Sequence, residues 1–189
     1  MFRIATVFIV GLILTGCSDS YKLTRANGEK HLPLLSRSGA VYVLQPTNGS
    51  YEGAEYRTSG SATAEAISFA FTPYASRVER SKEAESFSSA MAHCRGGSLM
   101  YLVEPTILHW EDRNTEWSGR SDKMTLQIVV YDVASQQSID TTTIEGKSKW
   151  ATFGGDHPQD LLPKPLKEYV AQMYRAPASG STKDSSRPE

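Results

Sequence analysis

The spacing of apolar residues in the first half of the chain predicts strands that alternate with helices. An unbroken apolar run at positions 41–44 is typical of a short buried strand. The next segment, which we expect to begin at Ser59 or Ser61, repeats apolar residues at helical spacing. This stripe consists of Ile67, Ala70, Phe71 and Tyr74. After a short strand at 77–80, Ser81 is placed to begin a second helix that ends at Gly96 and Gly97.

The second half of the chain predicts strands joined by hairpins and one final helix. Apolar positions indicate strands at 99–103, continued at 107–110, and then at 124–132 and 139–150. Pro105 lacks a backbone donor, so we expect an edge or a bulge there. The last helix is predicted over 160–174, with Pro163 and Pro165 in its first turn.

These elements follow the order β-α-β-α-β-β-β-α. The two helical crossovers imply parallel neighbours, and the later hairpins add antiparallel strands. The prediction is therefore an α/β (α+β) fold in one globular domain over 41–175. A mixed sheet of about five strands carries about three helices, mainly on one face.

The segments that flank this domain have a different composition. Residues 18–40 are polar and charged with poor periodicity, and we expect 17–40 to form a flexible tether that spans about 26 Å. Residues 176–189 contain no large apolar side chain, which is typical of a disordered tail.

The amino terminus is typical of a secretory signal over residues 1–16. Arg3 precedes an apolar run at positions 4–14, which is shorter than the roughly 20 residues that cross a bilayer. The run ends in "LTGC", which resembles the bacterial lipobox. The resemblance implies that Cys17 receives a diacylglyceryl thioether, that the chain is cleaved just before it, and that its new amine is acylated. Because Ser18 rather than Asp follows, the resemblance also implies the periplasmic face of the outer membrane.

Charge and cysteine content narrow the remaining functions. The chain has 20 basic and 21 acidic residues, and the signal contains one of the basic residues, Arg3, and none of the acidic ones. The mature chain therefore has a net charge of 19 − 21 = −2. No basic excess exists to favour nucleic acid as a partner. After lipidation Cys94 is the remaining thiol, which excludes an internal disulfide. Its position on the helical face of Phe87 and Met91 favours a buried small apolar side chain over a reactive thiol.

Three stretches give the chain a family resemblance. They are "VYVLQPTNGSYEGAEYRTSGSATAEAISFAF", "TLQIVVYDVASQQSIDTTTIEGKS" and "HPQDLLPKPLKEYVAQMY". Together with the lipobox they resemble an uncharacterised group of proteobacterial lipoproteins, domain-of-unknown-function 4823. The element order is also similar to the TolB amino-terminal domain and to curli-secretion and penicillin-binding-protein activator lipoproteins. The family resemblance implies no activity and therefore supplies no catalytic residues.

The residues themselves favour a non-enzymatic protein without cofactor or metal. His93 neighbours Cys94, but adjacent helical residues point about 100° apart and do not form a dyad. No Gly-x-Ser-x-Gly elbow follows a strand. His109, Glu111 and Asp112, or Asp156 and His157, offer too few converging ligands for a stable metal site.

Two surfaces remain as candidates for binding. Trp117 and Arg120 lie in a polar hairpin loop, and these residue types dominate protein interfaces. The glycine-rich loop after the first strand offers Tyr51, Tyr56 and Arg57. The alternative is that Trp117 only covers its own loop and that the glycines of the second loop serve turn geometry. For Trp110 and Trp150 we expect packing at the edge of the sheet's core.

The sequence thus predicts a lipid-anchored interaction or accessory module of the cell envelope. Its partners would be the bilayer, through acylated Cys17, and either another envelope protein or a second copy. The alternatives are a binder of a small ligand or of peptidoglycan, and a hydrolase with an unrecognised site.

Overall fold

A computed structural model of the chain describes residues 19–28, 34–112, 121–148 and 157–174. The described strands are β1 (Ser20–Arg25), β2 (Ala40–Val43), β3 (Ser50–Tyr51), β4 (Ala54–Glu55), β5 (Arg77–Arg80), β6 (Tyr101–Glu111), β7 (Lys123–Asp132) and β8 (Ser138–Lys147). The described helices are α1 (Ser59–Phe71), α2 (Phe87–Gly96) and α3 (Pro163–Met173), and a 3₁₀ turn at Pro158–Leu161 precedes α3.

One mixed sheet organises these elements, in the order β1-β8-β7-β6-β2-β5. Strand β2 lies parallel to both β5 and β6, because α1 and α2 make the two crossovers. Strands β6, β7, β8 and β1 pair antiparallel. The predicted mixed α+β class is confirmed, although the described part of the sheet has six strands rather than about five.

The additional strand corrects the prediction that 17–40 is a flexible tether. Strand β1 pairs with β8 over its whole length, from Ser20 opposite Lys147 to Arg25 opposite Thr142. Leu35 is buried, and its backbone N–H donates to the carbonyl oxygen of Met173 at 2.8 Å. Residues on both sides of the gap at 29–33 therefore belong to the folded domain.

Apolar side chains cover the two faces of the sheet unequally. On one face Val41 and Val43 pack in a large core that α1 and α3 close. On the other face Tyr42 and Leu44 pack against Met91 and Cys94 of the single helix α2. The prediction of helices mainly on one face holds for the described residues, since two of the three helices share the larger core.

On its second face, the antiparallel half of the sheet is covered by the described helices only at one end, where α2 packs against Leu102 and Tyr131. Because side chains alternate along a strand, Met124, Leu126 and Ile128 enter the larger core while their neighbours point away from it. Pairing places these neighbours in cross-strand rows, of which Thr24, Thr143 and Gln127 form one. We call this surface the outer face.

Two local predictions differ from the structure or are refined by it. Ser86, not Ser81, caps α2, and its Oγ accepts a hydrogen bond from the backbone N–H of Ser89. Ser81 is instead buried, and its Oγ accepts from the backbone N–H of Gln45 at 2.6 Å. Pro105 lies beyond the last β2–β6 pair at Val103, where its missing donor interrupts no ladder with β2.

Candidate functional site

A polar cavity of about 350 Å³ lies where the amino terminus of α1, the β3–β4 hairpin and the end of β6 meet. Its described lining consists of Glu55, Tyr56, Arg57, Thr58, Ser59, Ala62, Trp110, Asp112, His157 and Gln159. The cavity follows the carboxyl end of β2, which is where open α/β sheets commonly bind ligands. We call this region the hairpin cavity.

Short-range hydrogen bonds fix the wall of the hairpin cavity. The amide of Asn48 donates from Nδ2 to Glu55 Oε1 at 2.8 Å, and its Oδ1 accepts from the backbone N–H of Gly60 at 3.1 Å. Ser59 Oγ accepts from the backbone N–H of Gly49 at 2.8 Å. These bonds join the loop after β2 to the first turn of α1, so the wall is held by the helix.

Two glycines allow the close approaches that this wall requires. A Cβ at Gly49 would stand 2.5 Å from Cβ of Trp110, and one at Gly60 would overlap the carbonyl oxygen of Pro46. Trp110 is 2% exposed, so the prediction that it packs within the fold is confirmed. Trp150 lies outside the described residues.

Asp112 joins the floor of the hairpin cavity to a distant segment. Tyr56 donates from its hydroxyl to the backbone carbonyl oxygen of Asp112 at 3.2 Å. His157 Nδ1 lies 3.3 Å from Asp112 Oδ1, and the imidazole is about half exposed. The cavity therefore presents a carboxylate, an imidazole and the exposed Arg57 side chain to one small volume.

The structure brings only part of the predicted surface residues together. Tyr56 and Arg57 line the hairpin cavity. Tyr51 lies in β3, where its ring meets the edge of the His109 ring at a centroid distance of 5.2 Å. Trp117, Arg120 and the lipidation candidate Cys17 lie outside the described residues, as does the predicted tail at 176–189.

Sequence reasoning missed the pairing of Asp112 with His157. Each residue was weighed separately as a metal ligand, Asp112 with His109 and His157 with Asp156. The two residues are 45 positions apart, and no local pattern shows that they meet. No cluster of three or more metal-ligating side chains occurs within the described ranges.

The Ser59 hydroxyl at the hairpin cavity is not positioned as an activated nucleophile. Ser59 is buried, and its hydroxyl donates to the carbonyl oxygen of Tyr56 at 2.7 Å while it accepts from Gly49. An activated serine would instead donate to a base such as an imidazole. Arg57, Asp112 and His157 can provide a cation, an acceptor and a donor to a polar ligand.

Cys94 is buried in α2 as a free thiol, as the helical pattern predicts. Burial raises the pKa of the Cys94 thiol to about 11, and the carboxylates of Glu85 and Glu79 add to the effect. The ring of its neighbour His93 packs against Tyr42 at a tilt of 39°, and Nε2 approaches Glu79 Oε2 at 3.3 Å. The thiol and the imidazole do not act as a pair.

A second surface lies between α1 and α3. Phe69 is 71% exposed beside an open groove of about 340 Å³. The groove is lined by Ala62, Glu65, Ala66, Phe69, Ala70, Pro163 and Lys167. We call this surface the Phe69 groove.

Among the described residues, no helix combines the length and apolarity needed to cross a membrane.

The fold is similar to solved structures of low sequence identity. A PelC dodecamer from Paraburkholderia phytofirmans has a TM-score of 0.63 at 10% identity, with 84% of this chain and 99% of that chain covered. A point variant of that dodecamer has a TM-score of 0.61 at 12% identity, with 83% and 99% covered. Lipoprotein GNA1162 from Neisseria meningitidis has a TM-score of 0.43 at 10% identity, with 72% and 96% covered.

The family comparison agrees with the resemblance that the sequence motifs indicate. No curated protein matches the chain. The model of the family described as "Domain of unknown function (DUF4823)" matches residues 34–173, which includes α1, α2, α3 and the strands β2 to β8. This match covers well over half of the chain, and the protein therefore belongs to the DUF4823 family.

Proposed function

We propose that the protein is a lipid-anchored accessory module of the bacterial cell envelope that works by binding other proteins rather than by catalysis. Cys17, acylated as its lipobox-like context implies, would hold the domain at the periplasmic face of the outer membrane. Several acyl chains anchor stably where a single chain gives only reversible attachment.

The observation that carries this proposal is the short distance between the lipobox and the fold. Strand β1 begins at Ser20, three positions after Cys17, and it is paired along its full length with β8. A signal followed so closely by a folded domain favours a protein that works at the membrane surface. A long flexible linker would instead favour action at a distance.

The Phe69 groove is the surface that we assign to a protein partner. An aromatic side chain exposed beside a small-residue groove is typical of an interface anchor. The partner is a second copy of this chain or another envelope protein. Self-association is supported by the likeness of the fold to a protein that forms a dodecamer, although that likeness extends only to the fold.

Crosslinking in cells tests this function. The lipidated chain is crosslinked in its native envelope and its products are identified by mass spectrometry, with Cys17→Ala as the unanchored control. We expect a discrete self or envelope adduct that is lost in Cys17→Ala and reduced severalfold in Phe69→Ser. Leu108→Ser is the matched control, because Leu108 is also exposed but lies at the bulge of β6. A monomer without adducts under saturating crosslinking would exclude the proposal.

A second candidate function is the binding of a polar ligand in the hairpin cavity, which its volume and its facing charges favour. Peptidoglycan fragments, with their carboxylates and amides, fit Arg57 and Asp112 by chemical type. Purified sacculi should then sediment the protein, and Arg57→Gln with Tyr56→Phe should reduce the sedimented fraction. Failure of sacculi to sediment the parent chain would remove this candidate.

A further inference from the structure

An open groove of about 360 Å³ lies on the outer face of the sheet, at the end where β1 begins. Its described lining consists of Ser20, Tyr21, Lys22, His109, Lys123, Met124, Thr125, Glu145, Gly146 and Lys147. Neither the family match nor the hairpin cavity accounts for this groove. Three lysines and one carboxylate belong to the lining, which gives it a positive balance.

The sheet register places the lysines side by side. Lys123 of β7 lies directly opposite Lys147 of β8, and Lys147 lies opposite Ser20 of β1. In the next row Lys22 lies opposite Glu145. Met124 enters the core, so its neighbour Lys123 points to the outer face, and the residues paired in the same rows share that face.

Like charges directly opposite one another in a sheet destabilise it. Lys123 Nζ has a carboxylate 3.5 Å away at Glu111, but that buried group also binds His109 Nε2 at 3.1 Å. Within the described part of the chain, Lys147 and Lys22 form no ion pair at 4.0 Å or less. Glu111 and Glu145 therefore offset this repulsion only in part. An anion bound between Lys22, Lys123 and Lys147 would reduce it further.

The position of the groove relative to Cys17 identifies the anion. Two residues separate Cys17 from Ser20, and the three Cα-to-Cα steps between them span at most about 11 Å. Ser20 pairs with Lys147. If Cys17 is acylated at the bilayer surface, the lysines lie within roughly one or two Debye lengths of the lipid headgroups, where each contributes measurably to membrane attraction.

We propose that this groove is a docking surface for the phosphate headgroups of anionic phospholipids, which orients the domain with the Ser20 end of its sheet on the membrane. The inference rests on the proposed attachment at Cys17. In this orientation the hairpin cavity and the Phe69 groove keep a fixed relation to the bilayer. A free phosphate ion would satisfy the same lysines, but only a membrane source is held beside them by the chain itself.

The test uses the mature chain from Cys17 to Glu189, which contains every described residue. Its Cys17 thiol is coupled to a maleimide lipid in vesicles, while buried Cys94 stays unreacted. Lysine acetylation rates are then measured by mass spectrometry on vesicles of phosphatidylcholine with or without phosphatidylglycerol. We expect Lys22, Lys123 and Lys147 to react several times more slowly when phosphatidylglycerol is present. Lys82, which is exposed before α2, is the internal control, and its acetylation rate should be the same on both types of vesicle.

A second measurement removes the covalent anchor. The Cys17→Ser chain should bind phosphatidylglycerol vesicles about 25-fold more weakly when Lys22→Gln and Lys147→Gln are combined, which corresponds to about fivefold per lysine. Lys82→Gln with Arg95→Gln is the matched control of equal charge loss, since both side chains are exposed on or near α2, and it should have a smaller effect. Circular dichroism identifies any variant that folds poorly, and the binding of the single-lysine variants that do fold is then compared instead.

The outcomes separate this inference from the proposed function. The docking surface would be overturned if phosphatidylglycerol changed the acetylation rate of Lys147 no more than it changes that of Lys82. It would also be overturned, in favour of a soluble anion, if millimolar inorganic phosphate slowed acetylation of the same lysines to the extent that phosphatidylglycerol vesicles do. Neither result bears on anchoring in cells, which the intact mass of the Cys17 peptide from the envelope decides: an unacylated peptide would reject the anchor itself.

Discussion

Arg25 donates from Nη1 to Asp140 Oδ1 at 2.6 Å, and both side chains are only 6% exposed. The other carboxylate oxygen of Asp140 accepts from the hydroxyls of Thr142 and Tyr169, at 2.8 Å and 2.9 Å. The guanidinium also donates to Gln172 Oε1 at 3.0 Å. The two buried charges are paired, and the Asp140 carboxylate accepts three hydrogen bonds in all, so this network joins the first strand to β8 and α3.

Removing the cation from this network should destabilise the domain. Arg25→Met leaves the Asp140 carboxylate buried without its partner, and the loss of one member of a buried pair costs about 3–5 kcal/mol. The free energy of unfolding is measured by urea titration with circular dichroism. Hydrogen exchange should show that the amides of β1 lose protection first, since β1 has β8 as its only paired strand in the described sheet.

Lys82→Met is the matched control for Arg25→Met. Lys82 is exposed and forms no ion pair within the described residues, so its substitution should change the free energy of unfolding by less than about 0.5 kcal/mol. If Arg25→Met were as stable as this control, the network would not be what holds β1.

The contact between Arg25 and Asp140 also explains why β1 was difficult to predict from the sequence. Tyr21, Leu23 and Arg25 alternate with exposed residues, which is a strand pattern, but the segment has one strongly apolar residue and ends in a charge. The inward charge becomes favourable only beside Asp140, which is 115 positions away. In contrast, the order of β2, α1, β5 and α2 was predictable because its apolar periodicity is local.

The hairpin cavity shows the same division between local and distant information. Tyr56 and Arg57 were accessible to prediction because glycines and polar residues mark a loop after a strand. The contact between Asp112 and His157 was not, since it depends on where β6 ends relative to the turn before α3. Sequence patterns thus indicated one wall of the cavity but not its full set of polar groups.

Two tyrosines in α3 and at its end should respond oppositely to loss of the hydroxyl. Tyr169 is fully buried and donates to Asp140, so Tyr169→Phe should cost about 1.5–3 kcal/mol, the range for a hydrogen bond to a charged group. The Tyr174 hydroxyl is buried without a hydrogen-bond partner among the described residues. Tyr174→Phe should therefore leave stability unchanged or raise it by up to about 1 kcal/mol.

Thermal and urea unfolding of both variants measure this difference, and each variant serves as the control for the other because both remove one oxygen atom. A destabilisation of Tyr174→Phe equal to that of Tyr169→Phe would show that the Tyr174 hydroxyl has a partner of similar strength.

Gly60, in the first turn of α1, should tolerate substitution less well than Gly96, the last residue of α2. A Cβ at Gly60 would overlap the Pro46 carbonyl oxygen, which is backbone and cannot rotate away. Gly60→Ala should therefore destabilise the domain by about 1–3 kcal/mol, as overpacking does elsewhere. Gly96→Ala meets nothing within 4 Å and should stabilise the helix by about 0.5–1 kcal/mol.

The two alanine variants are compared by urea unfolding, with ligand binding in the hairpin cavity as a second readout for Gly60→Ala. Equal free energies of unfolding for the two variants would show that the loop after β2 shifts easily, against the rigid wall inferred from its hydrogen bonds.

Cys94 should be unreactive near neutral pH and should make the fold sensitive to base. Its folded pKa of about 11 lies above the usual 9.0 because the thiol is buried. In a Cys17→Ser background, alkylation at pH 8 should be far slower for the native chain than for the urea-unfolded chain, since the thiolate is the nucleophile. Comparable rates would mean that α2 opens readily.

The same raised pKa sets the sign of the pH dependence of stability. Below pH 9 both states hold the Cys94 proton and its contribution is fully present. As pH rises from 9 to 11 the unfolded chain loses the proton first, so the free energy of unfolding falls, by on the order of 2 kcal/mol. Tyr131 and Tyr174, whose pKa values burial raises to about 12, add a further loss above pH 10.

Cys94→Ala should lower stability at pH 7 by leaving a small cavity, yet flatten the profile between pH 9 and 10, where the tyrosines contribute little. An identical slope in the parent chain and Cys94→Ala would assign the base sensitivity to the tyrosines alone.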